Sequence, residues 1–260
     1  MVEQVGIIGA GHLAGYLVEG LRKAAPALPI LLSDRDPERS ARLARRWGAH
    51  AAEDNQAVAD AAAVVILAVR PGDALPACRA IAFRPGQLIA SAVAGLALAG
   101  LEAAVAPARA VRVMPISSAA LNESPTLLFP DHPGARAVFA LLGRVHPLAD
   151  EAAFTAANVV AAFYGWIYAL ADEAADWTAR AGVPHRTARS LVLETLRSAA
   201  DMALAQPDKP LPELLRELAT PGGITERGLD VLRRRGGLAP WREAMDAALE
   251  ASRSRGVPEK

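Results

Sequence analysis

The sequence predicts an α/β protein in which a doubly wound, mostly parallel sheet is followed by an all-helical domain. Two observations support this order. Residues 1–151 contain short apolar runs separated by helix-like segments, which is typical of parallel strands buried on both faces. Over residues 152–260 strand patterns disappear and alanine-rich helical periods take over. We therefore expect two domains, 1–151 and 152–260.

A glycine-rich turn follows the first apolar run. Residues Ile8–Ala14 are I-G-A-G-H-L-A, which fits G-x-G-x-x-A. Gly9 allows a sharp turn, and Gly11 leaves room for a pyrophosphate to approach the backbone. A helix starting at His12 would point free N–H groups at the phosphates, and a second strand, Ile30–Ser33, follows. Asp36 as N-cap and Pro37 at the first position predict the next helix over Pro37–Trp47. This predicts a Rossmann dinucleotide-binding domain; the alternative is a glycine turn that binds nothing.

The end of the second strand is where such a domain recognises the adenosine ribose. Ser33, Asp34 and Arg35 stand there. A carboxylate accepts from the free 2′-hydroxyl of NAD, whereas an arginine pairs with the 2′-phosphate of NADP, so the two signals conflict. If Asp34 turns outward, Ser33 and Arg35 can bind the phosphate. We favour NADP, with NAD as the alternative.

The later strands place more residues beside the cofactor. Apolar runs predict strands at Ala62–Val69, Leu88–Val93, Ala110–Met114, Thr126–Phe129 and Arg144–Leu148. Ligands of open α/β sheets bind beyond the carboxyl ends of the strands. We therefore expect the end of the third strand to contact the cofactor through Ala68, Val69, Arg70 and Pro71.

Composition excludes several classes of protein. The chain has 28 basic and 28 acidic residues, so its net charge of zero argues against nucleic acid or an acidic membrane as partner. Its single cysteine, Cys78, forms no internal disulfide and is interpreted as a packing residue of a cytoplasmic protein. No run reaches the roughly 18 apolar residues of a membrane span. No residue spacing predicts a metal site or a hydrolytic triad.

The helices predicted in the helical half are Phe163–Ala181, His185–Ala205, Leu211–Leu218, Glu226–Arg235 and Pro240–Arg253. Between the third and the fourth of them lies the segment T-P-G-G-I-T at Thr220–Thr225. Two glycines before a helix present outward-pointing N–H groups that suit a small carboxylate, and Thr220 and Thr225 add hydroxyl donors. The alternative is a plain helix break. The alanine-rich helices around it offer wide apolar faces, which predicts pairing with a second copy of the chain.

With these motifs in place, the chain resembles the pyrroline-5-carboxylate reductase family nearly end to end. Ile8–Ala14 is similar to the family's I-G-A-G-N-M-A, and Ile66–Pro71 to I-L-A-V-K-P. Val111–Pro115 matches V-R-V-M-P, and Asn55 matches a family Asn that contacts the cofactor. The most specific match is Thr220–Leu229, T-P-G-G-I-T-E-R-G-L, which is similar to S-P-G-G-[TA]-T-x-x-[GA]-L.

The resemblance implies hydride transfer from NAD(P)H to a cyclic imine, 1-pyrroline-5-carboxylate, to give L-proline, in an enzyme whose helical domain forms a homodimer or a larger homo-oligomer. It implies that Thr225 donates to the ring nitrogen. The substrate carboxylate would be held by Thr220, Gly222, Gly223 and Ile224. Near the cofactor the resemblance adds His12, Leu13, Asn55 and Met114.

Two departures from the family bear on the substrate. Val160–Trp166, V-A-A-F-Y-G-W, stands where the family has S-G-S-G-P-A-Y, and Ile116–Ser118 replaces N-T-P. Two alternatives therefore stay open: a reductase of the same fold acting on a different imine or keto substrate, and a non-catalytic NADP-binding protein. Retention of Thr225 argues against the second, since a protein that only binds has no stated need for a donor beside the ring.

Overall fold

The computed structural model describes residues 3–254, and its N-terminal part is built on one eight-stranded sheet. The strands are β1 Val5–Ile8, β2 Ile30–Ser33, β3 His50–Ala51, β4 Val64–Leu67, β5 Leu88–Ser91, β6 Arg109–Met114, β7 Thr126–Phe129 and β8 Val145–Pro147. Their order is β3-β2-β1-β4-β5-β6-β7-β8, and only β6 and β7 pair antiparallel within the described chain. The first six strands have the doubly wound order, which confirms the predicted fold class.

Short helices connect the strands. They are α1 His12–Ala24, α2 Pro37–Trp47, α3 Asn55–Ala61, α4 Pro71–Arg79, α5 Leu98–Val105, α6 Pro133–Phe139 and α7 Glu151–Ala157, with 3₁₀ turns at Ser117–Leu121 and Ala140–Leu142. The start of α2 follows its predicted signals, because Asp36 accepts from the Glu38 N–H at 3.1 Å and Pro37 is the first helical residue.

The sheet is buried on both faces. In β4, Val64 and Ile66 belong to one apolar cluster, whereas Val65 and Leu67 belong to another. Side chains alternate across a strand, so the two clusters lie on opposite faces. Cys78 lies in the second cluster, and burial raises the pKa of its thiol to about 11, which keeps it protonated at neutral pH. The uninterrupted apolar runs therefore reflect burial on both sides.

The C-terminal part is helical throughout the described residues. Its helices are α8 Val159–Arg180, α9 His185–Leu204, α10 Leu211–Leu218, α11 Ile224–Arg234 and α12 Ala239–Ser254. Within residues 3–254 the chain forms two compact units, one running to Ala161 and resuming at Leu249, the other comprising Ala162–Ala248. Helix α7 therefore belongs to the first unit, although the helical pattern of the sequence begins at about residue 152, within this helix.

Candidate cofactor and substrate sites

A cavity of about 280 Å³ lies at the carboxyl ends of β1 and β4, where the strand order reverses. This is the position at which open α/β sheets bind ligands. The cavity brings together the predicted residues Gly9, Gly11, Asp34, Arg35, Asn55, Ala68, Val69 and Arg70. It is also lined by residues that were not predicted, namely Ile8, Arg39, Asp73, Pro76 and Ala77.

The two glycines of the turn serve different purposes. Gly9 has φ +104°, and a Cβ there would lie 2.5 Å from the carbonyl oxygen of Ala68, so the backbone itself requires glycine. A Cβ on Gly11 would meet no atom within 4 Å. Gly11 also precedes α1 without a capping side chain, which leaves the first N–H groups of the helix available to a ligand. This open cradle beside a helix start fits a pyrophosphate.

Asp34 ties the end of β2 to the glycine turn. Its Oδ2 accepts from the Ala10 N–H at 2.6 Å, and its Oδ1 accepts from the Asp36 N–H at 2.9 Å. The carboxylate therefore faces the turn and does not point outward. Ser33 is only 1% exposed and donates its hydroxyl to Asn55 Oδ1 at 2.8 Å, so it lies outside the cavity.

Several other predicted cofactor residues also lie outside the cavity. His12 lines a neighbouring groove between α1 and α2, and Leu13 packs against the core. Pro71 is the first residue of α4, and Met114 is the half-buried last residue of β6. Asn55, by contrast, lines the cavity and is the first residue of α3.

Arg39 is the cavity residue that sequence reasoning could have found. Asp36 and Pro37 mark the start of α2, which places Arg39 in the first turn of that helix, just after the end of β2. The sequence signals for the start of α2 therefore also indicate that a cationic residue, Arg39, lies close to the predicted ribose region.

The T-P-G-G-I-T segment forms a tight turn at the start of α11. The Gly223 N–H donates to the Thr220 carbonyl oxygen at 2.9 Å, and Gly222 has φ +74°. A Cβ on Gly223 would lie 2.8 Å from Thr220 Oγ1, so the turn needs glycine at this position. Thr220 and Thr225 are exposed, and Ile224 is 90% exposed.

One amide of this turn already has an acceptor within the chain. The Gly222 N–H donates to Glu226 Oε2 at 2.6 Å. Sequence reasoning missed Glu226, because the resemblance treats its position as variable. Because the Gly222 N–H donates to a carboxylate here, an anionic ligand is a suitable acceptor for the same N–H.

The aromatic side chains that replace the family's small residues pack within the helical unit. The Phe163 ring centroid lies 6.2 Å from that of Trp166 and 5.7 Å from that of Trp241 on α12. The Tyr164 and Tyr168 hydroxyls are 3.0 Å apart. Phe163 and Trp166 therefore fill space beside α12. In the part of the chain that the structure describes, no group of three or more His, Cys, Asp or Glu side chains could hold a metal ion.

Both parts of the chain match known family models. Residues 151–255 match the model described as pyrroline-5-carboxylate reductase dimerisation. Residues 4–95 match the model described as NADP oxidoreductase coenzyme F420-dependent.

Individual proteins are similar over nearly the whole chain. The pyrroline-5-carboxylate reductase of Pseudomonas aeruginosa is 33% identical over 262 residues, covering 96% of this chain and 95% of that protein. The crystal structure of 1-pyrroline-5-carboxylate reductase from Streptococcus pyogenes has a TM-score of 0.85 at 25% identity, with 96% and 98% of the two chains covered. The Plasmodium falciparum pyrroline carboxylate reductase with NADP bound has a TM-score of 0.84 at 20% identity, with 99% and 100% covered, which shows the fold.

Proposed function

Because this chain belongs to the pyrroline-5-carboxylate reductase family, we propose that it reduces 1-pyrroline-5-carboxylate to L-proline with NADPH. It is an NAD(P)H-dependent oxidoreductase. The observation that supports the substrate assignment is the turn Thr220–Thr225 at a helix start, where one backbone amide, that of Gly222, already donates to a carboxylate, that of Glu226. A substrate with a carboxylate beside an imine nitrogen suits such a turn.

The cofactor residues follow from the cavity at β1 and β4. Gly9 and Gly11 leave the backbone open to the pyrophosphate, while the residues that flank the dinucleotide are Asp34, Arg35, Asn55, Ala68, Val69 and Arg70. When bound, NADPH supplies the hydride that reduces the imine carbon. The protein's part is to hold the reacting groups in position and to keep water away from them.

The substrate residues are those of the turn before α11. The carboxylate of the substrate would accept from Thr220 and from the amides of Gly222, Gly223 and Ile224. Thr225 would donate a hydrogen bond from its hydroxyl to the ring nitrogen, which gains one proton as the hydride is added to the imine carbon. Glu226 then has to release the Gly222 amide when the substrate carboxylate binds, because both are acceptors for the same N–H.

The experiment that tests this assignment compares wild type with Thr225→Ala and Thr225→Ser. We measure steady-state oxidation of NADPH with 1-pyrroline-5-carboxylate, and NADPH binding by calorimetry. Loss of the hydroxyl donor should lower kcat about 100-fold in Thr225→Ala, while Thr225→Ser keeps most activity and both variants bind NADPH as wild type does. Equal kcat in wild type and Thr225→Ala would contradict the role of Thr225.

A second candidate function is reduction of a different imine or keto substrate. The observation that favours it is that Phe163 and Trp166 stand where the family has small residues, and that Phe163 also packs against Trp241 of α12. In addition, Ile116 stands in place of an amide side chain. Wild-type protein that binds NADPH but does not turn over 1-pyrroline-5-carboxylate would favour this candidate or the non-catalytic NADP-binding alternative.

The helical domain supports homo-oligomer formation.

By length and composition alone, the helical stretch Glu151–Arg180 could cross a membrane, which the sequence prediction did not anticipate. This stretch lies in the matched dimerisation region, where contact with a second copy accounts for an apolar surface. We place the enzyme in the cytoplasm, with a homodimer as its smallest working form.

A further inference from the structure

Two cavities of the N-terminal unit meet at Arg39. On one side is the cofactor cavity. On the other is a groove of about 440 Å³ between α1 and α2, whose lining includes Tyr16, Trp47 and a row of arginines. The residues common to both are Gly11 and Arg39. The junction therefore lies beside the glycine turn, at the end where the adenosine ribose is recognised.

The polar groups nearest the end of β2 are already engaged. Both carboxylate oxygens of Asp34 accept backbone N–H groups, from Ala10 and Asp36. Ser33 is buried and donates its hydroxyl to Asn55. Neither Asp34 nor Ser33 therefore has a free donor for an additional phosphate on the ribose. The remaining groups that could bind this phosphate are the arginine side chains around the junction.

The groove side of the junction is strongly basic. Arg39, Arg42 and Arg46 all line the groove, and their spacing of three and four residues puts them on one face of α2. The other ionisable groups that line it are His12, Tyr16 and Glu19, all on α1. On the cofactor side, Arg35 is exposed and lies 3.7 Å from Asp73 Oδ1. Positive charge thus predominates where the two cavities join.

We propose that Arg39 is the principal residue that makes this site select NADP over NAD. The 2′-phosphate of bound NADP would lie at the junction of the two cavities and pair with the Arg39 guanidinium, with Arg35 as a second partner. Guanidinium groups match the geometry and charge of a phosphate, whereas the 2′-hydroxyl of NAD offers no anion. Asp34 keeps its role as the tie between β2 and the glycine turn.

The test measures binding, with Arg39→Gln as the variant and Arg45→Gln as the matched control. Arg45 is an exposed arginine of the same helix that lies outside both cavities. Dissociation constants are measured by calorimetry for NADPH, NADH, 2′-AMP and 5′-AMP. Arg39→Gln should weaken NADPH and 2′-AMP by about 10- to 100-fold and leave NADH and 5′-AMP within about twofold. Arg45→Gln should leave all four unchanged, and Arg39→Lys should recover part of the loss.

Two results would overturn the proposal. One is equal weakening of NADPH and NADH by Arg39→Gln in a protein whose thermal unfolding matches wild type. The other is unchanged discrimination in Arg39→Gln. The inference rests on the dinucleotide site of the proposed function but not on imine reduction. If the substrate assignment fails, the protein does not turn over 1-pyrroline-5-carboxylate. Arg39→Gln would still lower the ratio of NADPH affinity to NADH affinity, so the two failures can be told apart.

Discussion

In the proposed substrate site, Glu226 and the substrate carboxylate compete for one backbone donor. The Gly222 N–H lies 2.6 Å from Glu226 Oε2, at the turn that starts α11. A charged acceptor binds an N–H more strongly than a neutral one, so the glutamate holds this amide until another anion takes its place. If the substrate carboxylate binds at this amide as proposed, we expect Glu226 to raise the substrate concentration that the enzyme needs.

Replacing Glu226 by glutamine should lower the KM for 1-pyrroline-5-carboxylate, because a neutral amide oxygen is a weaker competitor for the Gly222 N–H. We expect a decrease of about three- to tenfold with little change in kcat. Steady-state kinetics of NADPH oxidation measure both values. Asp230→Asn, four residues further along α11, removes the same charge away from this amide and should leave the KM unchanged. A KM in Glu226→Gln equal to or above that of wild type would refute the competition.

The element that organises the cofactor site is the unit of β1, the glycine turn and α1. Gly9 sits at φ +104° against the Ala68 carbonyl, so it fixes the path of the chain between two neighbouring strands. A side chain on Gly11 would meet no protein atom within 4 Å. The fold therefore requires glycine at position 9, whereas at position 11 we expect glycine to be needed for the approach of the pyrophosphate.

This division predicts opposite results for two alanine substitutions. Gly9→Ala should lower the free energy of unfolding by about 2 kcal/mol or more, because the methyl group meets a carbonyl oxygen and the backbone is strained. Gly11→Ala should unfold at the wild-type temperature but bind NADPH about tenfold or more weakly, since its methyl group occupies the approach of the pyrophosphate. Thermal unfolding and calorimetry on both variants check this. Wild-type NADPH affinity in Gly11→Ala would show that the cradle is not used.

At the scale of the whole molecule, the helical unit leaves large apolar side chains uncovered. Those that are more than half exposed include Tyr168, Trp177, Leu191, Met202, Leu204, Leu211 and Leu218. A monomer rarely exposes so many large apolar side chains, and this unit lies within the matched dimerisation region. We expect association of two or more copies to cover them.

We therefore expect the wild-type protein to sediment as a dimer or a larger oligomer, with a thermal midpoint that rises with protein concentration. Leu191→Glu puts a charge on an apolar position of α9 and should shift the protein toward monomer and lower the midpoint. Arg186→Glu, at an exposed polar position of the same helix, is the control and should leave the assembly intact. A wild-type monomer at micromolar concentration would contradict the expectation.

Local signals were sufficient to give the bounds of several elements. The predicted bounds of β2 and of helices α2 and α10 agree with those observed, because apolar runs, the Asp36 cap and flanking prolines act within a few residues. Helices α3 to α7 were not predicted. They have seven to nine residues and do not combine an Asp cap with a following proline as α2 does, so packing stabilises them more than their own periodicity does.

The sequence by itself determined the doubly wound sheet, the glycine turn and the family, since each depends on residues that are close in the chain. Only the tertiary structure decided which side chains meet. In the folded chain Arg39 lines the cofactor cavity, the Ser33 hydroxyl donates to Asn55, and the Gly222 N–H donates to Glu226. These contacts depend on how a side chain is turned and on what lies beside it after packing, and no local sequence pattern specifies either.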